Sequence, residues 1–115
     1  MENCLFCRII KKEIPADIVY EDSDIVAFLD LHPVAPVHIL VVPKKHISKL
    51  TELTVEDEAV IGKVYTVINK LAKEKQIDEK GFRVIVNCGE EGGQVIPHIH
   101  FHLLGGKKLG PKLAN

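Results

Sequence analysis

The segment GGQVIPHIHFHLLGG constrains the fold more than any other part of the chain. It holds three of the six histidines of the 115 residues, and it places His98, His100 and His102 at every second position. Successive side chains of a β-strand point to opposite faces, so this spacing predicts a strand whose histidines lie on one face, about 7 Å apart. Ile99, Phe101 and Leu103 would form the opposite, apolar face. The pattern therefore predicts a core on one side of a sheet and a site on the other.

The remaining segments predict further strands and one long helix. IVYED and DIVAFLD predict a hairpin, and HILVVP and GFRVIVNCG predict two more strands. The long helix is indicated by apolar residues at helical spacing, with a capping pair before them: Val60, Val64, Ile68 and Leu71, preceded by Thr54 and Asp57. CLFCRIIKKE predicts a short helix with these residues on one face: Leu5, Phe6, Ile9 and Ile10. Strand mostly follows strand, so we expect an α+β fold with an antiparallel sheet.

Composition limits the classes of function. Apolar residues make up 46% of the chain and charged residues 27%, and the net charge of −1 gives no general basic field for binding nucleic acid. No apolar run suggests a signal peptide or a membrane span, and three cysteines do not form a secreted disulfide framework. We expect a cytoplasmic protein with reduced thiols. Residues 1–115 are expected to form one domain, with the N-terminal helix in 1–12 and a polar tail in 106–115.

A face of histidines is consistent with three kinds of role. A purely structural role would be unusual, because valine or threonine packs a sheet face better and does not titrate near neutral pH. Alternate histidines on a strand can share a metal ion. They can also act on phosphorus, where one neutral imidazole attacks while its neighbours stabilise the developing charge. The glycine-rich segment CGEEGGQ favours the last role, because its backbone N–H groups could bind a phosphate next to the histidines.

The stretch PHIHFHLL resembles the histidine-triad (HIT) signature and matches it at every position. The blocks FCRIIKKEIPADIVYEDSDIVAFLD, PVHILVVPKKHI and VNCGEEGGQ are similar to those of the Hint branch, so the resemblance covers almost the whole chain. It implies a HIT-like fold with a five-stranded antiparallel sheet, and a homodimer whose sheet is continuous across both copies. It also implies a nucleotide hydrolase that cleaves the P–N bond of purine nucleoside 5′-phosphoramidates, such as adenosine 5′-monophosphoramidate, and releases AMP.

The resemblance implies roles for individual residues. His100 would be the nucleophile that forms a covalent nucleotidyl-histidine, with no catalytic metal. His102 would contact the phosphate, His98 would flank the nucleophile, and His38 would support the charge of the attacking ring. The nucleotide would be held by residues of several segments: Asp30 and Leu31 at the ribose, Asn87, Gly93, Gln94 and Val95 at the phosphate and leaving group, and Phe6, Ile9 and Phe28 around the base.

Two positions depart from the Hint pattern on the side of the leaving group. Many Hint proteins carry a serine after the glutamine, where this chain has Val95, and an aromatic residue is common where it has Pro97. The chain also lacks the tryptophan-containing end of the animal proteins. These departures affect the preference for a leaving group and leave the attack on phosphorus as expected.

Cys4 and Cys7 form a C-x2-C pair at the start of the predicted helix. Two thiolates leave a tetrahedral zinc site incomplete, and a redox pair is expected after a strand of a βαβ unit rather than three residues into a chain. The spacing therefore leaves a zinc site, a free thiol pair and a redox pair open. The resemblance to bacterial HIT proteins with this pair implies a structural zinc ion bound by Cys4, Cys7, His46 and His98.

Two other functions stay open. A dinucleoside polyphosphate hydrolase of the same fold would use the same nucleophile but prefer a phosphate leaving group. A zinc-binding interaction module without enzymatic activity would use the histidines only as ligands, and it would not depend on His100.

Overall fold

The structure, a computed structural model, describes residues 3–111. Residues 1–2 and 112–115, which belong to the predicted N-terminal and tail segments, lie outside the described residues. In chain order the described helices and strands are α1 (Leu5–Ile10), β1 (Ile18–Glu21), β2 (Ile25–Leu29), β3 (Val37–Pro43), α2 (Glu58–Glu74), β4 (Arg83–Val86) and β5 (Phe101–Gly105). Within the described range, no helix combines the length and the apolar character that crossing a membrane requires.

The five strands form one antiparallel sheet in the order β1-β2-β3-β5-β4. The central strand, β3, pairs with β2 on one side and with β5 on the other, and Leu40 lies opposite His102. The predicted hairpin, the antiparallel sheet and both predicted helices are confirmed. Because β3 and β5 are neighbours, the histidines of HILVVP and of the triad come to the same region of the sheet.

The long helix covers one face of the sheet, as its apolar spacing predicts. Its buried residues are Val64, Val67, Ile68, Leu71 and Ala72. They share one core cluster with the apolar residues of the histidine segment, Ile99, Phe101 and Leu103. Fully burying a large apolar side chain contributes about 1.5–3 kcal/mol, so this packing fixes which face of the segment turns inward. Thr54 and Asp57 form the predicted capping pair on a 3-10 turn just before the helix, where the Thr54 N–H donates to the Asp57 carboxylate at 2.9 Å.

The short helix α1 packs on the opposite face of the sheet. Phe6, Cys7 and Ile9 are buried there, in a second core cluster with Phe28 and Leu40. Leu5 lies at the edge of this face and is 40% exposed. The helix turns Phe6, Cys7 and Ile9 most directly toward the sheet.

The histidine segment is only partly a strand. β5 begins at Phe101, which pairs with Val41 and Val86, so the prediction that His98 and His100 lie within the strand is wrong. Both neighbouring strands end nearby, β3 at Pro43 and β4 at Val86. Before Phe101 the side chains still point alternately to the two sides, although the segment is not part of a strand. Ile99 is buried in the core beneath the long helix, and its N–H donates to the Ile47 carbonyl at 2.7 Å. The separation of an apolar face from a histidine face is thus retained.

Candidate active site

Four histidines form a continuous cluster on the face of the sheet opposite the long helix. The rings of His100 and His102 lie 5.1 Å apart between centroids, and those of His38 and His102 lie 5.3 Å apart. His98 is fully buried, and His38 and His100 are nearly so. The structure therefore brings together the four histidines that the sequence predicts for the site.

The main chain selects the protonated nitrogen of His100. Its Nδ1 lies 2.7 Å from the His98 carbonyl oxygen, which can only accept, so Nδ1 carries the proton and Nε2 carries the lone pair. Burial lowers the pKa of His100 below its usual 6.5, which keeps the ring neutral at pH 7. A neutral imidazole with a free Nε2 is the form that can attack an electrophile.

A second set of contacts selects the protonated nitrogens of His38 and His102. The Val34 N–H donates to Nδ1 of His38 at 3.2 Å, so the proton of that ring is on Nε2. Nε2 lies 3.0 Å from Nδ1 of His102 and 3.4 Å from a carboxylate oxygen of Asp30. By donating to His102, His38 leaves Nε2 of His102 as an N–H donor. Burial, reinforced by the neighbouring rings, lowers the pKa of His102 to about 4, and burial also lowers the pKa of His38.

A cavity of about 430 Å³ opens beside this cluster. Its lining includes two of the predicted catalytic residues, His100 and His102. It also includes all but one of the predicted nucleotide-binding residues: Phe6, Ile9, Phe28, Asp30, Leu31, Asn87, Gly93 and Val95. Phe6 contacts the His100 ring edge-on at 5.0 Å and Phe28 at 5.4 Å. One cavity thus joins an apolar wall, a carboxylate and a ring with a free nitrogen, within the volume range of small-molecule sites.

The loop between β4 and the histidine segment is held in a tight shape. Gly89 and Gly93 have φ of 73° and 79°, which favour glycine, and the Asn87 amide donates to the Gly92 carbonyl at 2.7 Å. A side chain at Gly92 would place its Cβ 2.3 Å from the Cys88 carbonyl oxygen. These constraints keep Asn87 and Gly93 at the wall of the cavity.

Gln94 lies outside that cavity. Its carboxamide donates to the carbonyls of Ser48 at 2.7 Å and Ile96 at 3.0 Å, and it accepts from the Gly89 N–H at 2.9 Å. It lines an adjacent open hollow together with Lys49 and Glu90. Gly93 and Val95 line both spaces, and the Val95 side chain is 84% exposed.

Cys4, Cys7, His46 and His98 form a second cluster, in which the potential ligand atoms all lie within 4.8 Å of one another. Nδ1 of His98 lies 3.3 Å from Sγ of Cys4 and 3.5 Å from Sγ of Cys7, and Nδ1 of His46 lies 3.2 Å from Sγ of Cys7. Two ligands bound tetrahedrally at Zn–S and Zn–N lengths would be about 3.5 Å apart, so these separations suit a metal ion.

The chemistry of the donors also suits a metal. Nε2 of His98 donates to the Pro43 carbonyl at 2.8 Å, which leaves the lone pair on Nδ1, within the cluster. Burial, with a contribution from Cys4, raises the pKa of the Cys7 thiol to about 11, and burial lowers the pKa of His98 to about 4. A divalent cation would interact strongly with the sulfur and nitrogen atoms of this cluster, and its binding would displace the proton of the Cys7 thiol.

Asp30, His38 and His102 also lie close enough to hold a metal ion. The Val34 N–H opposes this, because it keeps the lone pair of His38 on Nδ1 and the proton on Nε2, the nitrogen that faces the other two residues. A metal there would require a proton on Nδ1, directly against the Val34 N–H. We therefore assign these three side chains to a hydrogen-bonded group.

Sequence reasoning missed part of the cavity wall and all of its main-chain contacts. Ile14, Pro15 and Ala16 line the cavity from the connection after α1, and Ile96 lines it from the loop before the triad. These residues carry no reactive group, so no pattern singled them out. The carbonyl and N–H groups that orient the histidine rings are present in every residue and have no sequence signal.

Comparison with known proteins agrees with this geometry. The HIT domain profile matches residues 11–109. The purine nucleoside phosphoramidase of Escherichia coli K12 is 46% identical over 114 residues, which cover 99% of this chain and 96% of that protein. A histidine triad protein from Clostridium difficile superposes with a TM-score of 0.94 at 51% identity, covering 97% of each chain. A HIT family hydrolase from Clostridium thermocellum gives 0.95 at 45% identity, covering 98% of each. The chain therefore belongs to the HIT family.

Proposed function

We propose that the chain hydrolyses purine nucleoside 5′-phosphoramidates, such as adenosine 5′-monophosphoramidate, through a covalent nucleotidyl-His100 intermediate. The observation that carries this proposal is the 2.7 Å hydrogen bond from Nδ1 of His100 to the His98 carbonyl, which leaves a lone pair on Nε2 of a cavity-lining ring. The full-length similarity to a purine nucleoside phosphoramidase supports the substrate class.

The reaction takes two steps. In the first, Nε2 of His100 attacks the α-phosphorus, the P–N bond breaks, and the amine takes up a proton as it leaves with the bonding electron pair. In the second, water attacks the same phosphorus, the bond to Nε2 breaks, and AMP is released. The Nε2–H of His102 donates to the phosphate oxygen on which charge develops, and His38 holds that proton in place by donating to the other nitrogen of His102.

The cavity lining supports the rest of the nucleotide assignment. Phe6, Ile9 and Phe28 provide an apolar wall for the base, and Asn87 and Gly93 meet the phosphate. Asp30 faces the ribose hydroxyls, although one of its oxygens also accepts from the His32 N–H at 2.7 Å. Leu31 is 81% exposed and forms the rim. Gln94 holds the phosphate loop through its three hydrogen bonds, which is the role we assign to it instead of contact with the leaving group.

The cluster of Cys4, Cys7, His46 and His98 would bind zinc in a structural role. The set of two cysteine and two histidine donors and the Pro43 carbonyl behind His98 support this assignment. Zinc there would tie α1 to the segment that carries the nucleophile, and no step of the reaction passes through it. Free thiols, as at these cysteines, are typical of the reducing cytoplasm, which we propose as the location.

A homodimer with a continuous sheet is part of the same proposal. β4 is an edge strand of the sheet, and all four of its residues are only half buried in the single chain. An edge strand of this kind offers unpaired backbone groups to a second copy. The molecular mass in solution, measured by light scattering, tests the proposal, and a monomer would contradict it.

The experiment that tests the function is turnover of adenosine 5′-monophosphoramidate by the wild type and by His100→Ala, each with and without a zinc chelator. We expect turnover to vanish in His100→Ala while AMP binding remains, because the variant keeps the base wall and the phosphate loop. An acid quench of the wild type should trap a covalent adduct on His100. Full turnover by His100→Ala would contradict the nucleophile. Loss of turnover on chelation alone, with AMP binding unchanged, would give the metal a direct part in the chemistry.

Val95 favours a second candidate, a dinucleoside polyphosphate hydrolase of the same fold. The exposed Val95 side chain has no hydroxyl that could donate to a leaving amine. In Val95→Ser, turnover of the phosphoramidate relative to that of diadenosine polyphosphates should rise if the amine is the natural leaving group. A wild type that cleaves only the polyphosphates would establish the second candidate.

A further inference from the structure

Helix α1 contributes to both the metal cluster and the cavity. Cys4 and Cys7 place their sulfur atoms in the cluster, while Phe6 and Ile9 line the cavity. Within these six residues, the side chains that belong to the metal cluster alternate with those that line the cavity. The position of this one short helix therefore determines the geometry of both sites.

A second connection runs through the main chain of His98. Its ring belongs to the metal cluster and is anchored by the Pro43 carbonyl at 2.8 Å, while its own carbonyl accepts the Nδ1 proton of His100 at 2.7 Å. The Phe6 ring meets His98 at 6.0 Å and His100 at 5.0 Å, so the helix and the histidine segment also contact each other directly. Movement of the His98 ring would therefore move the group that orients the nucleophile.

We propose that the metal cluster and the nucleotide cavity are energetically coupled through α1, so that occupation of either site raises the affinity of the other. A helix of six residues is too short to be stable by itself, so its position depends on what it contacts. A metal at Cys4 and Cys7 would order the same helix that forms the wall of the base site. The conformational entropy lost in ordering the helix reduces the affinity of the ligand that binds first, and the second ligand binds to a helix that is already ordered. Cys4, Cys7 and His46 then act as positioning residues for nucleotide binding. The inference rests on the proposed zinc and nucleotide sites.

The test measures both affinities on the full chain. AMP is titrated calorimetrically into protein carrying one equivalent of Zn²⁺ and into protein freed of metal by a chelator. The Zn²⁺ affinity is measured by competition with a chromophoric chelator, with and without saturating AMP. We expect zinc to lower the Kd of AMP by about five-fold or more, and linkage requires AMP to lower the Kd of zinc by the same factor. Amide exchange in α1 should slow further when the second ligand is added to the first.

Three variants separate coupling from a general loss of structure. His46→Ala removes a ligand outside α1 and outside the cavity lining, so its AMP affinity in the presence of zinc should match that of metal-free wild type. Phe6→Leu retains all four ligands but not the aromatic contact with His100, so zinc should still bind while the coupling factor falls. Cys88→Ala removes the thiol that is outside the cluster and should leave the factor unchanged.

The outcomes distinguish this inference from the proposed function. AMP affinities that agree within about two-fold with and without bound zinc would overturn the coupling. Weaker AMP binding in the presence of zinc, or no zinc binding at all, would also overturn it. If the phosphoramidate is not cleaved but the two affinities still change together, the coupling stands and the proposed reaction fails.

Discussion

Mild acid should destabilise the metal-free protein strongly, because burial lowers the pKa of four histidines, His38, His98, His100 and His102. The pKa of His98 and that of His102 are each lowered to about 4, chiefly by burial, while a histidine in the unfolded chain titrates near 6.5. Between these values the unfolded chain binds more protons than the folded one. The free energy of unfolding is therefore highest above pH about 6.5 and falls as the pH drops toward 4.

The size of the loss at pH 5 follows from the width of that interval. Between pH 6.5 and pH 5, a histidine that stays neutral in the folded state lowers the free energy of unfolding by about 2 kcal/mol, at about 1.4 kcal/mol per pH unit. His98 is fully buried and gives about that amount, whereas His102 is partly exposed and its share is screened to about 1 kcal/mol. The sum for these two rings is about 3 kcal/mol, and the lowered pKa values of His38 and His100 add to the loss in the same direction. It is a large part of the 5–15 kcal/mol by which domains are usually stable.

Urea denaturation at pH 7 and pH 5 measures this difference, at one protein concentration and with a chelator present. His102→Gln should lose about 1 kcal/mol less than the wild type between the two pH values, because one of the two rings with the most strongly lowered pKa is gone. His32→Gln, which changes an exposed histidine, should keep the full wild-type difference. The lowered carboxyl pKa values of Glu21, Asp22 and Asp57 act below this pH range, so they do not obscure it. Equal stability of the wild type at both pH values would refute the reasoning, and so would an unchanged difference in His102→Gln.

Three further substitutions test the packing, each by urea denaturation at pH 7. Gly105→Ala should destabilise by about 1–3 kcal/mol, because the new Cβ would lie 2.6 Å from Cδ1 of Ile77; a variant as stable as the wild type would contradict the close approach. Gly62→Ala, on the exposed side of α2 with nothing within 4 Å of the new atom, should stabilise by about 0.5–1 kcal/mol, and a loss would mean that the helix is perturbed. Ile99→Val should cost about 0.5–1.5 kcal/mol, since Ile99 is fully buried; no change would place it outside the core.

The sequence predicted the elements whose periodicity is set by burial. The long helix and the apolar face of the histidine segment both follow from spacing, because each buries one side against the other. The strand boundary at Phe101 could not be predicted in this way, because the partner strand β4 ends opposite it, at Val86. The exposure of Leu5 was also missed, since the side of α1 that faces the sheet depends on distant parts of the chain.

The site was predictable as a set of reactive side chains and not as a set of contacts. The resemblance named the four cluster residues that the fold brings within 4.8 Å, and all but one of the nine nucleotide residues that it named line the cavity. The exception is Gln94, whose amide hydrogen bonds depend on carbonyls contributed by Ser48 and Ile96. Every residue has a backbone carbonyl, so the residue type does not show which carbonyls act as partners, and only the three-dimensional arrangement reveals them.

The carbonyl that orients His100 belongs to residue 98, and its presence does not depend on which side chain that residue carries, although the ring helps to fix its position. Every amino acid would supply the same acceptor two positions before the second ring, whereas only histidine supplies the ring nitrogen at the cysteines. Mutation can thus change the two contributions of position 98 separately. A lineage that lost its thiols could replace His98 and still retain the acceptor that selects the protonated nitrogen of His100. Conversely, in a His-x-His pair on another extended segment, the carbonyl of the first histidine could accept the Nδ1 proton of the second. No carboxylate would then be needed to select the tautomer.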